Sequence, residues 1–274
     1  MQGSPVTLDE SLKSELVSVA NALADAARPE TLAHFRASGL VAEDKAASHF
    51  DPVTVADRAA EAAMRQVLAA RRPQDAILGE EYGTTEGRSG LTWVLDPIDG
   101  TRGYISGTPT WGVLISVAVA DGPIFGIIDQ PYIGERFTGG FGTATVTGPM
   151  GTAPLRTRAP RTLGEATVMT TFPEVGTKDE GRAFHAVASR ARLTRYGMDC
   201  YAYALLAAGQ VDLVIEAGLQ AYDIQAPIAV VQAAGGIVTD WQGGPAHNGG
   251  RALAAANPAI HAEALAILQD ALHG

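Results

Sequence analysis

A chain of 274 residues is long enough to bury a substantial core, as one large domain or as two closely packed halves. Its formal net charge of −10 disfavours nucleic acid and anionic membrane surfaces as partners, and suits metal ions and cationic ligands. The single cysteine, Cys200, excludes an intramolecular disulfide and reads as a small buried apolar side chain.

No apolar run reaches membrane-spanning length, and Met1-Gln2-Gly3-Ser4-Pro5 lacks the charged segment and apolar core of a signal peptide, so a cytoplasmic protein is expected. Thr7 and Glu10 form a capping-box pattern. Leu8, Leu12, Leu16, Val19, Ala20, Leu23 and Ala27 then recur at helical spacing, which predicts an amphipathic helix ending before Pro29. A second helical piece is expected over 30–38, closed by Gly39. Thr54 and Asp57 make another capping pair ahead of an apolar helix face of Ala60, Met64, Val67 and Leu68. There Asp57 reads as a first-turn carboxylate stabilised by the helix dipole. Ala76-Ile77-Leu78 is a short strand ended by Gly79, before Glu80 and Glu81, which on their own read as solvated. Residues 84–90 form a polar connection.

Residues 91–95 read as a buried strand stopped at Pro97, with the chain turning at Asp96. Asp96 and Asp99 stand three apart across that turn, so both carboxylates can converge on one hard cation, with the Ile98 carbonyl as a further oxygen ligand. Gly100 permits close backbone approach, and Asp99-Gly100-Thr101 suits the opening of a short helix whose N–H groups attract an anion. Such a site would hold Mg²⁺ beside a phosphate seated on the N–H groups of Gly100 and Thr101, the Thr101 hydroxyl orienting a water. A turn that merely ends a strand is the alternative reading of the same residues.

Residues 111–120 and 124–129, joined by Asp121-Gly122-Pro123, read as a hairpin, which 135–141 and 143–146 extend into an antiparallel sheet. The stretch 149–161, rich in proline, threonine and arginine, is the expected junction between halves at 1–150 and 151–274. Beyond it, 166–170, 179–190, 193–196, 200–208, 211–216, 223–234 and 237–240 alternate strands with helices in an α/β rhythm. Glu216 falls at a strand end, and Asp223 reads as the N-cap of the helix after the loop 218–222. Asn257 and Pro258 open a final helix with the face Ile260, Ala264, Ile267, Leu268 and Leu272. The six histidines lack ligand spacing, so no zinc site is expected.

Asp96-Pro97-Ile98-Asp99-Gly100-Thr101 resembles the signature of the inositol monophosphatase superfamily of Mg²⁺-dependent phosphatases. Asp51-Pro52-Val53-Thr54-Val55-Ala56-Asp57, Gly79-Glu80-Glu81, Tyr222-Asp223-Ile224 and Gly235-Gly236 fall in the family's order, so the resemblance covers 51–240. Gly107-Thr108-Pro109-Thr110-Trp111-Gly112 and the stretch 128–136 are most similar to the histidinol-phosphate phosphatase branch. The resemblance implies a layered α-β-α-β-α sandwich, an antiparallel sheet half plus a mixed-sheet α/β half. It also implies two or three Mg²⁺ ions: one held by Glu80, Asp96 and the Ile98 carbonyl, a second by Asp96, Asp99 and Asp223, and a looser one recruited by Asp57 with substrate. Glu81 is expected behind these ligands, Tyr222 replaces the family's usual tryptophan, and Lys45 and Asp51 fall where the family has a mobile loop.

The implied reaction is direct in-line attack of water on a phosphate monoester, without a phosphoenzyme. Glu80 and Thr101 would orient and deprotonate the water while N–H groups after Asp99 take phosphoryl charge. Asp223 would face both metal and substrate. Glu216 aligns with a family residue that contacts the organic part of the substrate, and Asp199 stands where inositol phosphatases tend to have a small residue. Two carboxylates around the leaving alcohol favour a cationic small phosphate ester, histidinol phosphate over inositol phosphate. The alternatives are an inositol-1-monophosphatase or broad-specificity phosphatase and, in another class, a regulatory binding protein that keeps the fold. A homodimer is common in the family.

Overall fold

The computed structural model describes residues 6–38, 43–44, 52–159 and 161–273, so Gly39, Lys45 and Asp51 lie outside the described residues. In chain order the elements are α1 (Glu10–His34), β1 (Glu43–Asp44), β2 (Pro52–Val53), α2 (Val55–Arg71), β3 (Ala76–Gly79), β4 (Gly83–Thr85), β5 (Thr92–Asp99), α3 (Thr101–Ile105), β6 (Gly112–Val119) and β7 (Gly122–Gln130). There follow β8 (Glu135–Gly140), β9 (Thr143–Gly148), β10 (Gly151–Pro154), β11 (Thr167–Thr170), α4 (Lys178–Ala188), β12 (Leu193–Tyr196), α5 (Cys200–Ala207), β13 (Leu213–Leu219), α6 (Ala221–Ala233), β14 (Ile237–Thr239), β15 (Gly250–Ala255) and α7 (Pro258–His273).

The first helix corrects the expected break at Pro29. α1 is continuous through that proline, and its cap is Asp9, whose Oδ1 accepts from the Leu12 N–H at 2.8 Å, not Thr7. A proline inside a helix costs about 3 kcal/mol. Here the buried stripe Leu16, Val19, Ala20, Leu23, Ala24, Ala27 and Thr31 spans both sides of it, and that burial outweighs the missing hydrogen bond.

Eight strands form one sheet in the order β10-β9-β8-β7-β6-β5-β3-β4, and five form a second in the order β12-β11-β13-β15-β14. Alternation along β6 shows how the first sheet is clothed. Val113, Ile115 and Val117 face α1 and α2, whereas Leu114 faces the opposite layer with α5 and α6. On the second sheet Val214, Ala252 and Ala254 join that same middle layer, while Leu213, Ile215, Leu253 and Ala255 meet α4 and α7. The result is the α-β-α-β-α sandwich, helix pairs alternating with sheets. Gly126 and Gly139 let α6 lie directly on the first sheet, since a Cβ on either would fall within 2.7 Å of the helix backbone.

β10 pairs with β9, so the first sheet ends at Pro154, within the stretch 149–161 expected to join the halves. The sequence pattern does not mark β15. It is a central strand between β13 and β14, buried on both faces, and therefore shows no alternation in sequence.

Candidate active site

β3 and β5 are parallel neighbours, with Gly79 opposite Leu95, and the Glu80 N–H continues the ladder to the Leu95 carbonyl at 3.1 Å. Glu80 and Asp96 are thereby placed side by side at two adjoining strand positions. β5 does not stop at Pro97, as expected, but runs to Asp99 through an irregularity: Asp96 faces Leu114 while Asp99 faces Gly112, one extra residue on β5. A bulge is where a strand tolerates a residue with no N–H to donate. It also turns Asp99 toward the same pocket as Asp96, and the Ile98 N–H donates to Asp96 Oδ1 at 3.0 Å. Gly100, at φ +87, caps the short helix α3, and the Thr101 hydroxyl donates to the Ile98 carbonyl at 3.1 Å.

The second half closes the site. α5 begins beside Asp99, whose Oδ2 accepts from the Cys200 N–H at 2.6 Å. Asp199, just before it, has φ +45 and ψ −139, a conformation that side-chain-bearing residues rarely adopt and that costs on the order of 1–3 kcal/mol. Its carboxyl sits so close to the signature turn that a Cβ on Gly100 would lie 2.8 Å from Asp199 Cγ. Glu216 is buried inside β13 rather than at its end, because that strand also bulges, between Glu216 and Leu219. Asp223 is the third residue of α6 and not its cap: Gln220 caps the helix, and Asp223 Oδ2 accepts from the Gln220 N–H at 2.7 Å.

These residues assemble two carboxylate groups. Ligand-capable oxygens of Asp96, Asp99 and Asp223 lie within 4.8 Å of one another, as do those of Asp57, Glu80 and Glu81. Asp57 is fully buried, and its Oδ2 accepts from both the N–H and hydroxyl of Thr54, the capping box read from sequence. Glu81, expected behind the ligands, brings a carboxylate oxygen into the same group as Glu80. The reason is Glu61, a buried side chain on α2 that sequence reading passed over: its carboxylate accepts from the Glu81 N–H at 2.7 Å and the Tyr82 N–H at 3.2 Å, and pairs with Arg65 at 2.8 Å. That clamp bends the chain after Glu80 so that both glutamates face Asp57. Gly79 makes the clamp possible, because a Cβ there would meet Glu61 Oε1.

A cavity of about 280 Å³ is lined by Glu80, Asp96, Ile98, Asp99, Gly100, Thr101, Arg102, Asp199, Glu216 and Asp223, together with Thr171 and Phe172. A larger cleft, about 470 Å³, lies between α1 and the β8–β9 edge. Its arginines are engaged, Arg28 with Asp129 and Arg136 with Asp129 and Asp25.

Burial and then mutual repulsion push the pocket's acids upward. Asp96 is held well above the usual carboxylate range by desolvation, then by Glu80, Asp99 and Asp223. Desolvation, Asp199 and Asp223 do the same to Asp99. Burial carries Asp199 to about 6, with Thr110 and Arg102 pulling it down, and Glu216 to about 7 against the hydrogen bonds from Thr171 and Thr170. Acids that repel one another in a pocket of oxygen donors, with no sulfur or imidazole among them, fit a hard divalent cation.

Residues 12–273 match the inositol monophosphatase family. The chloroplastic bifunctional phosphatase IMPL2 of Arabidopsis thaliana is 40% identical over 243 residues, covering 88% of this chain and 68% of that protein. A histidinol-phosphatase of Streptomyces coelicolor is 35% identical over 260 residues, covering 92% of this chain and 96% of that one. Among solved structures, an inositol monophosphatase from Zymomonas mobilis superposes with a TM-score of 0.83 at 37% identity, over 96% of this chain and 100% of that one. The sandwich and its acidic pocket thus define a phosphoric monoester hydrolase of a metal-dependent class. The chain belongs to the inositol monophosphatase family.

Proposed function

We propose that the chain is a Mg²⁺-dependent histidinol-phosphatase of histidine biosynthesis, cleaving L-histidinol phosphate to L-histidinol and phosphate. Relatives carry both names, histidinol-phosphatase and inositol-1-monophosphatase, so the side chains around the leaving alcohol must decide. The observation that carries the reading is the pair Asp199 and Glu216 in one pocket, poised near pH 6 and pH 7. A bound cation lowers both values and draws the pair into its ionised form, whereas a neutral polyol brings no charge to offset theirs.

Asp96, Asp99 and Asp223 would hold one Mg²⁺; Glu80, with Asp96 and the Ile98 carbonyl, a second; and Asp57, with Glu80 and Glu81, a third. When bound, Mg²⁺ offsets phosphoryl charge and makes water easier to ionise. The chain's own groups do the rest. N–H groups of Gly100 and Thr101 receive the phosphoryl oxygens. The Thr101 hydroxyl, donating to the Ile98 carbonyl, keeps its lone pairs to accept from the attacking water, and Glu80 takes the proton. Asp199 and Glu216 receive the ammonium and imidazole of the leaving alcohol.

Parallel phosphate-release assays on histidinol phosphate, inositol 1-phosphate and nucleoside monophosphates, each with an EDTA control, test this. Histidinol phosphate is expected to lead in kcat/KM by about 10- to 100-fold, EDTA abolishing all turnover. Replacing Asp199 and Glu216 together by alanine is expected to erase that lead. An unchanged ratio would refute the charge argument. A homodimer in the cytoplasm completes the proposal; light scattering behind size exclusion reads the oligomeric state.

A further inference from the structure

Phe172 is a large apolar side chain that the core does not claim. It is 43% exposed and lines the cavity with Asp199 and Glu216. The backbone around it is pinned on both sides. Before it, Glu216 accepts from the Thr171 N–H at 2.7 Å, the Thr171 hydroxyl at 2.9 Å and the Thr170 hydroxyl at 3.2 Å, while the Gly197 N–H reaches the Thr171 carbonyl at 3.0 Å. After it, the Val175 N–H closes a turn onto the Phe172 carbonyl at 3.3 Å. Val175 itself is 3% exposed with φ +42, a left-handed conformation that a β-branched residue keeps only under constraint. The loop is therefore fixed, and what it fixes is an aromatic ring displayed in the pocket at the cost of burying it elsewhere.

One partner of the ring shows what it suits. The Arg102 guanidinium, carried by α3, lies 4.7 Å from its centroid. A guanidinium is flat, delocalised and cationic, and so is a protonated imidazole. We propose that Phe172 is a specificity-determining residue of this site, its ring the platform for a flat, cation-capable ring on the leaving alcohol. This rests on the histidinol-phosphatase reading. Asp199 and Glu216 answer the charge of any ammonium ester, and Phe172 distinguishes one that carries a planar ring from one that does not.

The test compares wild type with Phe172→Leu and Phe172→Trp on L-histidinol phosphate, phosphoethanolamine and inositol 1-phosphate. Phe172→Leu is expected to raise KM for histidinol phosphate about 3- to 30-fold with kcat held within about twofold, and to leave phosphoethanolamine unchanged. Phe172→Trp is expected to keep the wild-type ratio. Equal losses on the two ammonium esters, or no loss on either, overturn the role of Phe172 while leaving the wild-type preference for histidinol phosphate over inositol 1-phosphate standing. Absence of that preference in wild type removes the underlying reading, and this inference with it.

Discussion

Asp96 is 2% exposed, and burial, then Glu80, Asp99 and Asp223, hold its carboxyl well above the ordinary carboxylate range. Asp96→Asn keeps the Oδ1 that accepts from the Ile98 N–H and removes the charge. Phosphate release is expected to fall by roughly a thousandfold or more, while the metal-free protein unfolds about 2–6 °C higher. A lower melting temperature would show that these charges do not oppose folding. At this scale the signature turn was readable through its resemblance to the family motif, because Asp96 and Asp99 alone read as well as a turn that ends a strand. Glu61 and Phe172 were not. A glutamate on an amphipathic helix and a lone phenylalanine before Pro173 look like surface and core, and only the folded turn against Glu80 and Glu81, or the pinned loop beside Glu216, gives either one a task.

Between elements, the clamp from α2 to the turn after β3 has a measurable worth. Glu61→Ala removes two backbone hydrogen bonds and leaves Arg65, 17% exposed, without its carboxylate, which is expected to cost roughly 2–4 kcal/mol in chemical denaturation. Weaker Mg²⁺ affinity should accompany it, read by titrating activity against the metal. Unaltered Mg²⁺ dependence in a folded Glu61→Gln and Glu61→Ala pair would separate the clamp from the site. Element types were largely readable from period and caps, as α2, β3, the β6–β7 hairpin and α7 show. The failures share one cause. Pro29, Pro97 and the unexpected β15 all follow rules of local backbone chemistry or alternation that packing overrode: a continuous buried stripe in α1, a bulge in β5, and burial on both faces in the second sheet.

For the whole molecule, pH and metal should act as linked variables. Asp96, Asp99, Asp199 and Glu216 all bind protons more tightly folded than unfolded. Stability from this source is therefore complete in acid and is lost as pH rises through the folded values, about 6 for Asp199 and about 7 for Glu216. Without metal, the melting temperature is expected to fall from about pH 5 to about pH 8; with Mg²⁺ at about 5 mM the decline should shrink in part, since the ion competes with protons for the oxygens of Asp96 and Asp99 but not for those of Asp199 and Glu216. A metal-free profile that is flat or rising over that span would contradict the sign. No described helix is long and apolar enough to cross a membrane.

Asp223 rides on α6, wedged between the two sheets, whereas Asp96 and Asp99 hang from the first sheet alone. An ion shared by the three is thus a rivet through adjacent layers of the sandwich. If the proposed magnesium sites hold, chelation should quicken amide exchange along α6 well beyond the pocket, and a cell short of magnesium would hold an enzyme that is not only idle but easier for a protease to open.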